Sequence, residues 1–131
     1  MGLARVWIET LDDGLVRADQ VVEVLAHQTA AFAGKPARWL IDVVIPVSQG
    51  AGASGQWHLA ASHRTLMQTG TEPRGAAHRL VELLCRLDAT DAAGIVRAER
   101  AQRDEPSTGS SATSTSDGIA FRFHALPSLG A

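Results

Sequence analysis

RVWIETLDDGLVRADQVVEVLAH, residues 5–27, is the stretch on which the fold turns. Successive residues of a strand point to opposite faces, so parity sorts its side chains. On the first half, Val6, Ile8 and Thr10 share a face. On the second, Val16, Ala18, Val22, Val24 and Ala26 share one, with Arg17, Asp19 and Glu23 opposite. The pattern predicts a β-hairpin. A two-residue Asp13-Gly14 turn would set Asp19 against Ile8 and put a charge on the dry face. A three-residue loop, Asp12-Asp13-Gly14, pairs Ile8 with Ala18 and Glu9 with Arg17 instead. That choice keeps one face apolar and places opposite charges across the strands. Gly14 then supplies the left-handed residue such a loop needs.

Working outward, residues 28–36 form a connector containing Gly34 and Pro36, and ARWLIDVVIPV (37–47) is rich in β-branched residues. Trp39, Ile41, Val43, Ile45 and Val47 fall on one face of that strand; Arg38, Leu40, Asp42 and Val44 fall on the other. Pro46 donates no ladder hydrogen bond, so the strand ends there or has an open edge there. QWHLAASHRTLM (56–67) reads as a returning strand. As a helix it would instead group Leu59, His63, Leu66 and Met67. EPRGAAHRLVELLCRLDAT predicts a helix over 74–90, with Ala77, Leu80, Val81, Leu84 and Leu87 on the inner stripe and Arg79, Glu82 and Arg86 outside. DAAGIVRAERAQRDE, from residue 91, reads as a second helix or an extension, weakened by Gly94. Glu99 and Arg103 are spaced for a helical ion pair. PSTGSSATSTSDG is a polar, low-complexity linker. Beyond it Ile119, Phe121 and Phe123 alternate with Ala120, Arg122 and His124, the mark of a half-buried strand.

The expected fold is therefore α+β: an antiparallel sheet of about four strands packed on one main α-helix, with a tethered C-terminal strand. The expected organisation is a core over 1–103, a flexible Ser/Thr-rich linker over 104–118, and a strand and tail over 119–131. With 131 residues the chain has room for one core. One cysteine, Cys85, permits no internal disulfide and reads as a small buried packing residue. The Ala- and Arg-rich composition, with Lys35 the only lysine, is that of a GC-rich bacterial gene. The start lacks a secretory pattern and no stretch approaches a membrane span, so the expected location is cytoplasmic.

Few residues point to chemistry. GAGASG, residues 50–55, spells a dinucleotide-binding glycine motif. That mechanism needs a strand immediately before, a helix N-terminus after and an acidic residue about 20 positions on. Pro46–Gln49 intervene, Glu72 sits beside a helix-starting proline, and a flexible hairpin loop explains the glycines. No cofactor is expected. His58, His63, His78 and Cys85 lack the close pairing of a zinc site, so no metal is expected. Ser62 and His63 are adjacent on a strand and point apart, which leaves no catalytic residue to name. Asp12-Asp13 and Asp88/Asp91 are ordinary turn and helix-end carboxylates.

A net charge of −2 disfavours nucleic acid, although Arg5, Arg17 and Arg38 sit together on the outer face by parity. The outer face carries the most weight. Trp7, Leu40 and Val44 point away from the first core, and contiguous exposed apolar surface marks an interface. Ile119, Phe121 and Phe123 need a sheet edge, in the same chain or in a second copy. The expected function is a non-catalytic binding or assembly module, acting on itself or a protein partner through a sheet edge or outer face. The alternatives are a small enzyme or ligand binder with a pocket at Trp57, His58 and His63 beside the glycine loop, and a regulator contacting nucleic acid.

Overall fold

The computed structural model describes residues 2–49, 58–100 and 118–127. Its elements are β1 (Val6–Glu9), β2 (Leu15–Arg17), a 3-10 turn (Ala18–Gln20), β3 (Glu23–Gln28), β4 (Trp39–Gln49), β5 (His58–Thr69), α1 (Ala76–Ala89), β6 (Gly94–Arg100) and β7 (Ile119–Ala125). The class is α+β, but the strands form two sheets where one was expected. A mixed four-stranded sheet runs β2-β1-β6-β7, and an antiparallel three-stranded sheet runs β3-β4-β5. Among the described strands, only β1 and β6 are paired in parallel, with Val6 opposite Gly94 and Ile8 opposite Val96.

The opening stretch explains the split. The apolar set 16, 18, 22, 24, 26 has one gap in its parity, Gln20, and there the chain leaves the first sheet. Ala18–Gln20 makes the 3-10 turn, closed by Val21 N–H donating to the Ala18 carbonyl at 3.2 Å. Val16 and Ala18 enter the core, whereas Val22 is 68% exposed. Val22 N–H then donates to the Val44 carbonyl at 2.9 Å, which hands the chain to the second sheet.

The hairpin forms with its register two residues from the expected one. Ile8 faces Val16, Trp7 faces Arg17 and Glu9 faces Leu15. A shift of two keeps parity, so Ile8 and Val16 are both buried as the dry-face argument requires. The connection is residues 10–14, and Asp13 (φ 64°), not Gly14, takes the left-handed position. Thr10 organises this loop. Its N–H donates to the Gly14 carbonyl at 2.8 Å and its hydroxyl to Asp12 Oδ1 at 2.8 Å, while Gly14 N–H donates to that hydroxyl at 2.9 Å. The Thr10 hydroxyl, then the Asp12 backbone N–H and the more distant Arg64, hold the Asp12 carboxyl below its ordinary range. A Cβ on Gly14 would stand 2.7 Å from Thr10 Oγ1. Gly14→Ala is therefore expected to cost roughly 1–2 kcal/mol in urea unfolding, by displacing that hydroxyl. A change within ~0.3 kcal/mol of wild type would refute this role.

Residues 94–100 are a strand and not the expected helix. Ala, Glu and Arg favour a helix locally, but Gly94–Arg100 pairs with β7 along its length and with β1 over Gly94–Val96, and tertiary pairing outweighs weak propensity. Arg103 lies outside the described residues; Glu99 instead meets Arg122 across the strands at 2.6 Å, and Glu9 meets Arg97 at 2.6 Å. The C-terminal strand joins its own chain's sheet, β7 lying antiparallel on β6 from Gly94↔Ala125 to Arg100↔Ile119. The linker 104–117 and the glycine motif 50–55 fall outside the described residues.

The core forms where helix and sheets meet. Val6, Ile8, Val96 and Ile119 come from the first sheet, Ile41, Val43 and Leu66 from the second, and Ala76, Leu80, Leu84 and Leu87 from α1. The buried helical stripe is narrower than expected. Val81 and Cys85, four apart on one flank, are exposed, which corrects the reading of both as packing residues. Arg79 ties the helix to β7 by donating from Nη2 to the Ile119 carbonyl at 3.1 Å.

Candidate functional site

The paired strands β4 and β5 carry two features that core packing does not account for. The first is polar. Asp42 lies mid-strand in the central strand of its sheet, on the face opposite Ile41 and Val43. Leu25 of β3 and Thr65 of β5 stand directly opposite it. His27 is two residues past Leu25 and His63 two before Thr65, so the imidazoles sit on opposite diagonals of the carboxylate. Cross-strand diagonals are within reach of side chains of this length. His27 Nε2 lies 2.6 Å from Asp42 Oδ2, a charge-assisted hydrogen bond, and His63 Nδ1 lies 3.7 Å from the same oxygen, beyond one. The two rings stand edge to face, with centroids 6.4 Å apart. Asp42 is only 2% exposed, and its Oδ1 is buried without a described partner.

Chemically, the arrangement is a brace between β3 and β4. Asp42 fixes the orientation of the His27 ring, which is 41% exposed, and His63 of β5 stands beside the same carboxylate without bonding to it. Among the described residues no group of three His, Cys, Asp or Glu is placed to hold a metal ion. The sequence carried a signal for this cluster that its motifs did not: Asp42 is the one charge within WLIDVVIPV, and a charge inside an apolar central strand demands partners on its neighbours.

The second feature is a ribbon. β3 stops pairing at Glu23↔Val44, yet β4 and β5 stay paired from Ile45↔Ser62 out to Gln49↔His58. The Val44 carbonyl accepts from Val22, so the Val44 backbone groups face the β3 side. Two residues on, the nitrogen of Pro46 faces the same way, past the end of β3, where no described strand needs an N–H. Among the described residues no strand pairs with β4 on this side at Pro46, where an open edge was expected, and the strand itself continues to Gln49.

The expected site residues disperse. Trp7 is 38% exposed on the outer face of the first sheet, beside Arg17 and Ile95. Leu40 is half-buried, and Val44, expected on an exposed face, is buried at 3%. Ile119 is in the core, and Phe121 and Phe123 pack against it, so these three are occupied within the chain. Trp57 and the side chain of His58 lie outside what is described; His63 belongs to the Asp42 cluster. Of the three arginines, Arg5 meets Asp91 at 2.9 Å and Arg17 meets Asp19, while Arg38 stands apart at the foot of β4. A shallow apolar recess of about 280 Å³, lined by Leu3, Val21, Val22, Val81, Leu84 and Cys85, separates α1 from the strand that enters the second sheet. No described helix is long and apolar enough to cross a membrane. Compared with known proteins, the chain has no matching family model and no significant match to a curated protein or a solved structure.

Proposed function

We propose that this chain is a protein-interaction module that self-associates through a strand edge of its β4–β5 ribbon. The observation that carries the reading is the extension of that ribbon beyond β3, with five residue pairs from Ile45↔Ser62 to Gln49↔His58 and no described strand on either side. A two-stranded ribbon is marginal by itself in water and gains from a third strand. Natural open edges are guarded by charge. Residues 45–49 and 58–62 contain no Asp, Glu, Lys or Arg. Elsewhere the sheet edges are protected: the short β2 carries Arg17, and β7 carries Arg122.

The reading predicts a mass that rises with concentration in sedimentation velocity, from monomer toward dimer over a hundredfold range. A chain that stays monomeric over that range, alone and at high concentration, would end it.

A further inference from the structure

We infer that the edge used is that of β5, and that it pairs antiparallel with the same edge of a second copy on a two-fold axis through Ala61. This rests on the self-association reading above and specifies it. The Thr65 carbonyl accepts from Leu11 N–H at 2.9 Å, so the backbone groups of Thr65 face away from β4. Backbone direction alternates along a strand, so His63, Ala61 and Leu59 present their N–H and C=O outward as well. Among the described residues, no backbone group bonds to that edge beyond Thr65. The opposite edge of the ribbon is the poorer one, because it presents the nitrogen of Pro46, which has no hydrogen to donate.

A strand edge matches its own copy only in antiparallel order, and a two-fold axis then makes the contact closed and isologous. Three registers centre within this segment. An axis at Ser62 would bring Leu59 of one copy against Thr65 of the other, whose carbonyl Leu11 already occupies. An axis at Ala60 would leave His63 without a partner inside β5. An axis at Ala61 sets Leu59 against His63, Ala61 against Ala61 and His63 against Leu59. It uses every outward residue and about six hydrogen bonds. It also ends each partner strand short of Leu11.

The test uses the full chain in a Cys85→Ser background. Directly opposed residues in a hydrogen-bonded pair lie about 5.5 Å apart at Cα, which suits a disulfide. Ala61→Cys is expected to form a covalent dimer under mild oxidation. Leu59→Cys is expected not to, because its own copy would lie roughly 14 Å away along the paired strands. Ala61→Pro removes only an outward-facing N–H, so it is expected to leave the thermal unfolding of the monomer unchanged and to weaken dimerisation roughly tenfold or more. If the wild type dimerises but Ala61→Pro dimerises equally and Ala61→Cys does not cross-link, the edge assignment is overturned and self-association stands. If the wild type is monomeric throughout, both fall.

Discussion

Gly94→Ala is expected to destabilise the protein by roughly 3 kcal/mol and to loosen β7 selectively. A Cβ at this position would lie 2.2 Å from the His124 carbonyl oxygen and 2.7–2.8 Å from the Phe123 ring. The ring alone could rotate aside, but the carbonyl belongs to the backbone of the paired strand. Relief would require β7 to lift from β6 at Gly94↔Ala125, the end of the ladder anchored by Leu126 N–H donating to the Ala93 carbonyl at 3.0 Å. β7 also supplies Ile119 to the core and an acceptor to Arg79, so its release costs apolar burial and a hydrogen bond together. Urea unfolding reads the total, and amide exchange over 119–125 reads the local part. Phe123→Leu added to Gly94→Ala should recover only a minor share, because the backbone clash remains. Loss of less than ~0.5 kcal/mol in the single variant would show that the two strands part easily, and that Gly94 is not what admits β7.

The second large effect concerns Asp42, and its sign depends on which partner is removed. His27→Ala leaves a carboxylate that is 2% exposed with neither oxygen bonded by a described group. Stranding one member of a buried pair commonly costs about 3–5 kcal/mol. Here His27 is 41% exposed, so truncating it admits water, and the expected loss falls to roughly 2 kcal/mol. Asp42→Val is different. It removes the buried charge, suits a central strand between Leu25 and Thr65, and frees His27 to turn to solvent. It should lie within ~1 kcal/mol of wild type. The double variant His27→Ala/Asp42→Val should then be more stable than His27→Ala alone. Urea unfolding of the three variants closes the cycle. A His27→Ala variant as stable as wild type would mean that the hydrogen bond contributes nothing, and the brace would be the wrong description.

The elements with strong internal pattern were legible from residues alone. Trp39–Gln49 alternates β-branched residues, and α1 repeats Leu80, Leu84 and Leu87 at helical spacing. Each needs only one buried face to specify it. Residues 94–100 were illegible for the opposite reason. GIVRAER satisfies helix and strand alike, and only its neighbours β1 and β7, distant in sequence, make it a strand. The same holds within the candidate site. The charge at Asp42 could be noticed in WLIDVVIPV, but its partners sit on two other strands, at positions fixed by registers that no local spacing encodes. The β3–β4 register sets His27 on one diagonal; the β4–β5 register, shifted by an irregularity between Ile41 and Asp42, sets His63 on the other.

Residues 5–27 show where the division lies. Their alternation alone determined that Ile8 and Val16 would be buried on a common face and that the chain would reverse at Asp12–Gly14. Parity is a local property, and a register error of two residues preserves it. Tertiary structure decided that the run from Leu15 to Gln28 is divided between two sheets, with the break at Ala18–Gln20. Gln20 interrupts the apolar parity, but a polar residue in an alternating run is compatible with a continuous strand as well as a turn. The turn is chosen because Val22 can bond to Val44 while Val6, Ile8 and Val96 close the core on the other side. The gain comes from sealing one core between two sheets and a helix, and it appears only when all three are present.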